Sequence, residues 1–166
     1  MSVKRLLLPA AATTVGMTTG VMYSYQTAIM PGIGRLTDHE FITAFQAMDR
    51  EIVNPVFIGP VFLGGGALLA AATIAHRDEP RRFRRLATAS AIYLAGVVGV
   101  TMAGNVPKNN KLAEFRVAPS TVQQAAAARQ EFEGSWNRLH IVRTLASIAS
   151  LGALSIAMVS NPRTAT

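Results

Sequence analysis

Trp136, His140 and Arg143 stand at i, i+4 and i+7 within "SWNRLHIVR", residues 135–143, at the entrance of the last long apolar run of the chain. That spacing gathers an indole, an imidazole and a guanidinium on one helical face, and Thr144 and Ser147 continue nearly the same stripe. An imidazole that titrates near neutrality serves as a general base or a metal ligand, a guanidinium holds an oxyanion, and an indole flanks an aromatic ring. An arginine one turn into an apolar helix costs about 2.5–3.5 kcal/mol at the bilayer centre, less near the interface, so it needs a partner or a watery cavity. Asn54, Asn105 and Asn109 are candidate partners, as are the acids Asp38, Glu40, Asp49 and Glu51. The plainer reading is anchoring, with Arg143 snorkelling to headgroups and Trp136, Tyr23 and Tyr25 forming an aromatic belt. Asn54 and Asn105 also stand beside prolines, where an amide caps backbone freed at a helix break.

These residues need elements to position them. The chain has 166 residues, half of them hydrophobic and only 15% charged, which points to a membrane protein of a single domain, 1–166. Four runs are long and apolar enough to cross a hydrocarbon core of about 30 Å: roughly 6–30, 52–75, 86–106 and 139–159. The basic start "MSVKR" precedes a run too long for a cleaved signal peptide, so it is expected to remain as the first span. The net charge of +7 would raise nucleic acid as a partner of a soluble protein, but its distribution argues against that. Lys4, Arg5, Arg163 and the loop "HRDEPRRFRR" hold much of it, which puts both termini and that loop in the cytoplasm of a cell membrane. His76 falls among those arginines and is expected to be solvated. With no cysteine, the chain has neither disulfides nor a thiolate site.

Short connections make neighbouring spans antiparallel, so the predicted fold is all-α, an integral membrane up-down four-helix bundle. Its outer connections, 31–51 and 107–138, carry short extramembrane helices. Thr37 and Glu40 have capping-box spacing, and Phe41, Ile42, Phe45 and Met48 then share a face, with Asp49 placed mostly elsewhere: an amphipathic helix over the bundle mouth. The alanine-rich stretch that begins near Ser120 or Thr121 is expected to be another extramembrane helix or an outward extension of the fourth span. Gly16 and Gly20 admit a close helix crossing and a homo-oligomer, and "GGG" at 64–66 reads as a close-packing face or a kink. The polar groups "YSYQTAIMPG", "IVNPVF", "GNVPKNN" and "WNRLHIVRT" all fall at the outer ends of the spans, so the chemistry is expected at one mouth.

"SYQTAIMPGIGRL", "FITAFQAMDREIVNPVF", "NVPKNNKLA" and "FEGSWNRLHIVRT" resemble the motifs of the anthrone oxygenase-like family of small four-helix membrane proteins, and the resemblance runs from about Gly16 to Ser150. It implies a membrane-embedded oxidoreductase that inserts oxygen at an activated carbon of an aromatic or hydrophobic substrate, as a monooxygenase without metal or flavin. Asn109, with Trp136, His140 and Arg143, matches the pattern of the fungal members. On that reading His140 is the base, Arg143 with Asn109 or Asn105 holds the oxyanion, and Trp136, Tyr25, Asn54 and Phe57 bind substrate. The alternative is a binding protein or accessory subunit that takes a small molecule, haem or copper, with His39 and His140 as a weak ligand pair lacking recognisable spacing. A transporter has less support, since no inverted repeat is evident. Membrane lipids and a small apolar substrate are the expected partners.

Overall fold

A computed structural model describes residues 3–159 of the chain; Arg163 and the side chain of Arg5 lie outside the described part. Among the described residues four helices are long and apolar enough to cross a membrane: α1 (Leu6–Ile33), α3 (Phe57–Ala75), α4 (Pro80–Ala113) and α5 (Val122–Val159). Between α1 and α3 lies a shorter amphipathic helix, α2 (Asp38–Ile52). The protein is an all-helical integral membrane bundle. α1 packs against α3 and α5, and α4 against the same two, so neighbours in the square are antiparallel.

The helices run past the boundaries expected from apolarity. α4 begins at Pro80, because a proline at the first helical turn loses no hydrogen bond and the arginines behind it are good helix formers. It then continues through Pro107 to Ala113. Three stretches of backbone widened to π-helical turns adjoin prolines: Tyr25–Ile29 runs up to Pro31, Phe57–Leu63 contains Pro60, and Thr101–Asn105 ends two residues before Pro107; a fourth, Ile92–Gly99, has no proline in it. In lipid such local widening lets a helix absorb a missing N–H without exposing carbonyls. The polar stretch after Ser120 is an outward extension of the fourth span, since α5 is continuous over 38 residues. The second span starts later than expected. Ile52 closes α2, and the chain turns before Phe57.

Two buried clusters divide the molecule. Val15, Leu69, Leu86, Tyr93 and Leu154 fill the middle of the bundle, where the Tyr93 hydroxyl donates to the Phe62 carbonyl at 2.8 Å. The triple glycine forms a packing face, because a Cβ at Gly65 would meet the Tyr93 hydroxyl oxygen at 3.0 Å. Gly16 and Gly20 have nothing within 4 Å and face outward. At the opposite end to the lid, Lys4 pairs with Asp78 and Glu79 at 2.9 Å each. His76 is not solvated there. It is 3% exposed, with Nδ1 2.8 Å from the Ala72 carbonyl one turn back.

The second cluster is the lid. Phe41, Ile42 and Phe45 of α2 bury themselves against Leu112, Phe132 and Trp136, with the Phe45 and Phe132 rings edge to face at 4.5 Å. The capping box forms: the Thr37 hydroxyl and backbone N–H both donate to Glu40 and hold its carboxyl below the usual carboxylate range. Arg129 on the extension of α5 latches this helix. Its guanidinium donates to the Gly34 and Leu36 carbonyls at 2.7 and 2.9 Å, reaches Asp38 at 3.1 Å and Glu133 at 2.7 Å, and lies 4.4 Å above the Phe41 ring. Arg129→Ala removes all five contacts, so backbone hydrogen exchange over residues 34–52 is expected to rise about tenfold, a loss of roughly 1–2 kcal/mol of local stability. Unchanged exchange would mean that the aromatic cluster alone holds the lid.

Candidate functional site

Beneath the lid all four spans and α2 enclose one hollow of about 100 Å³. α1 contributes Met22 and Tyr25, α2 Met48 and Asp49, α3 Phe57, α4 Thr101 and Asn109, and α5 Trp136, His140 and Arg143. The stripe read from the sequence therefore faces inward. Arg143 is 8% exposed and does not snorkel to the headgroups. The hollow opens beside Val53, which is 65% exposed.

On α5 the indole of Trp136 stacks on the imidazole of His140, centroids 4.8 Å apart and planes at 15°, and the guanidinium carbon of Arg143 lies 5.0 Å from the indole. Arg143 Nε donates to His140 Nδ1 at 3.0 Å, and one terminal nitrogen reaches the Thr101 hydroxyl at 3.3 Å. His140 Nε2 is 3.0 Å from the Met22 carbonyl. A carbonyl only accepts, and Arg143 only donates, so these partners specify a neutral ring protonated at Nε2. Both ring nitrogens are engaged. The base role expected for His140, or ligation of haem or copper, requires it to give up one of these bonds.

Arg143 makes no ion pair among the described residues. Of its expected partners, Asp49 shares the hollow with it, while Asp38 pairs with Arg129 and Glu40 caps α2. Asp49 is held by Asn109, whose Nδ2 donates to Oδ1 at 2.6 Å; the Asn109 Oδ1 in turn accepts from Trp136 Nε1 at 2.7 Å. Burial pushes the Asp49 carboxyl above the usual carboxylate range, against the opposing pulls of the Asn109 hydrogen bond and the Arg143 charge. The arrangement is thus a cation and a carboxylate lining one small, mostly apolar hollow.

Tyr25, Phe57, Asn109, Trp136, His140 and Arg143 come together as the sequence placed them. Asn54 and Asn105 do not line the hollow. Asn54 caps the turn between α2 and α3: its amide donates to the Glu51 carbonyl at 2.7 Å and its oxygen accepts the Phe57 N–H at 2.9 Å. Asn105 is fully buried on α4, with Nδ2 3.4 Å from the Trp136 backbone carbonyl of α5. The histidine pair is also not brought to one place, since His39 Nε2 bonds the Ser120 hydroxyl at 3.0 Å at the far end of α2. Among the described residues no three His, Cys, Asp or Glu side chains cluster as a metal site would need. The sequence offered Asp49 as one of four acids that could partner Arg143 but placed it mostly off the apolar face of α2. Phe41, Phe45 and Asp49 are successive i, i+4 positions, so the inward stripe of α2 ends in a carboxylate.

A family model described as anthrone oxygenase matches residues 53–153, well over half of the chain. The chain belongs to the anthrone oxygenase family. No curated protein and no solved structure matches it. The anthrone oxygenase match covers α3, α4 and most of α5, hence Phe57, Thr101, Asn109, Trp136, His140 and Arg143. It begins just after α2, which supplies Asp49 to the same hollow.

Proposed function

We propose that the protein is a membrane-embedded oxygenase that oxidises an activated C–H carbon of a small aromatic or hydrophobic substrate in the hollow under the lid. It works from a cell membrane with both termini cytoplasmic and the lid on the outer face. The observation that carries the reading is Arg143, a buried cation with no ion pair among the described residues, opening on an apolar space that also holds a carboxylate. A cation so placed stabilises negative charge that develops on a substrate, and in a site shielded from water it does so more strongly than in solution.

The overall conversion balances without a metal or organic cofactor: a methylene group flanked by rings and one O2 give a ketone and one water. Loss of a proton leaves an electron-rich carbanion, delocalised onto an oxygen that Arg143 holds, and O2 takes up its electrons. Trp136 and Tyr25 flank the ring, with Phe57 closing the side towards α3. An engineered core cavity of about 150 Å³ takes up benzene; the hollow here, about 100 Å³, is smaller, so a ring must also use the opening beside Val53. A larger ring system extends past Val53 towards lipid.

The test is oxygen uptake by the detergent-purified protein given anthrone, with the quinone product quantified. Uptake of one O2 per quinone well above the protein-free rate is expected, and heat-denatured protein should lose the acceleration. Failure to accelerate the oxidation of anthrone or of single-ring carbon acids would overturn the reading. So would a visible spectrum of haem or copper in protein that turns nothing over.

A further inference from the structure

We infer that Asp49, carried by the lid helix, is the proton acceptor of this site, held in place by a one-way hydrogen-bond relay from Trp136 through Asn109. The inference rests on the oxygenase reading above and adds to it the group that activates the substrate.

The direction of the relay follows from its first member. An indole N–H only donates, so the Asn109 oxygen must turn to Trp136, at 2.7 Å. Its amino group then has to point at Asp49, which it does at 2.6 Å. One carboxylate oxygen of Asp49 is thereby fixed as an acceptor. The other has no hydrogen-bond partner among the described residues, and the side chain lines the hollow. His140, the natural rival, has both ring nitrogens committed, to Arg143 and to the Met22 carbonyl.

In the step assigned here the substrate C–H bond breaks and its proton bonds to the free oxygen of Asp49. The electron pair stays on the substrate, where delocalisation carries it towards Arg143. Half-burial favours this role, since it raises the carboxyl above the usual carboxylate range and so makes the carboxylate a stronger base. The placement has a consequence for access. The base sits on α2 and the anion holder on α5, so a lid displaced to admit substrate carries the base away, and the pair assembles only when the lid is seated.

Anaerobic exchange of the anthrone methylene hydrogens with D2O, followed by mass spectrometry on the full-length protein in detergent, isolates this step from the oxygen chemistry. Wild-type protein should accelerate exchange. Asp49→Asn should lose about 10²-fold or more of the acceleration, and Asp49→Glu should retain part of it. Quenching of the chain's single tryptophan, Trp136, by anthrone reports binding and folding in each variant, and Asp49→Asn should bind as wild type does. Wild-type exchange rates in a tryptophan-competent Asp49→Asn protein overturn the assignment and leave the oxygenase reading standing. So does a wild type that oxidises anthrone without accelerating exchange. A wild type that neither exchanges nor oxidises anthrone removes both.

Discussion

Arg143→Met is expected to lower kcat/KM for oxygenation by about 10²–10³-fold, the range typical of removing one oxyanion donor, with most of the loss in kcat. The guanidinium is fixed from two sides, Nε on His140 and a terminal nitrogen on Thr101, with the indole face beneath it. It is therefore already arranged for charge that appears only during reaction, and a methionine of similar length fills the space without replacing that charge. Stability should respond in the opposite way. A buried cation without an ion pair among the described residues is a burden on the fold, and replacing such groups by apolar ones is often neutral or stabilising. Against this, His140 Nδ1 loses its donor, at about 1–3 kcal/mol. The thermal midpoint should thus move by only a few degrees while turnover collapses. Arg143→Lys keeps the charge but cannot reach His140 and Thr101 together, so an intermediate rate is expected. A methionine variant that turns over at the wild-type rate would leave the site without its anion holder.

The spans were legible because bilayer thickness fixes the length of an apolar helix and the arginine-rich loop marks one side. Their ends were not. Apolarity reports where lipid stops, whereas the helices stop where capping and packing end them, which is why α5 starts at Val122 and α4 at Pro80, both ahead of the apolar runs. Prolines also misled in one direction. Pro107 reads as a break from sequence alone, but the π-helical turn before it absorbs the missing hydrogen bond.

Within the site, the stripe of Trp136, His140 and Arg143 was readable because 3.6 residues per turn leaves little freedom for residues three and four apart. The asparagines were harder. Asn54, Asn105 and Asn109 are the same residue type at the same end of the bundle, yet one caps backbone, one reaches a carbonyl across the α4–α5 seam and one relays a hydrogen bond. What separates them is which neighbour offers a donor or an acceptor, a tertiary fact. Asp49 could not be singled out among the four candidate acids for the same reason: on an amphipathic helix a charge is read as solvated unless another element comes down over it.

Gly96 decides whether those elements meet. A Cβ built there lies 2.6 Å from the Ala146 Cβ, and because that atom is fixed to the backbone of α5 no rotamer change can relieve the clash. Gly96→Val must push α4 and α5 apart, at an expected cost of about 1–3 kcal/mol for overpacking, read as a lower thermal midpoint in detergent. The damage reaches the site because Thr101 and Arg143, whose contact is 3.3 Å, lie five residues on from Gly96 and three back from Ala146. Separation at the seam lengthens that contact and releases one side of the guanidinium, so turnover per folded molecule should fall as well. Gly16→Val supplies the comparison: nothing lies within 4 Å of its Cβ, so both stability and turnover should stay near wild type. If the two variants behave alike, general helix propensity rather than close approach of α4 and α5 governs the bundle, and the link between the seam and Arg143 fails.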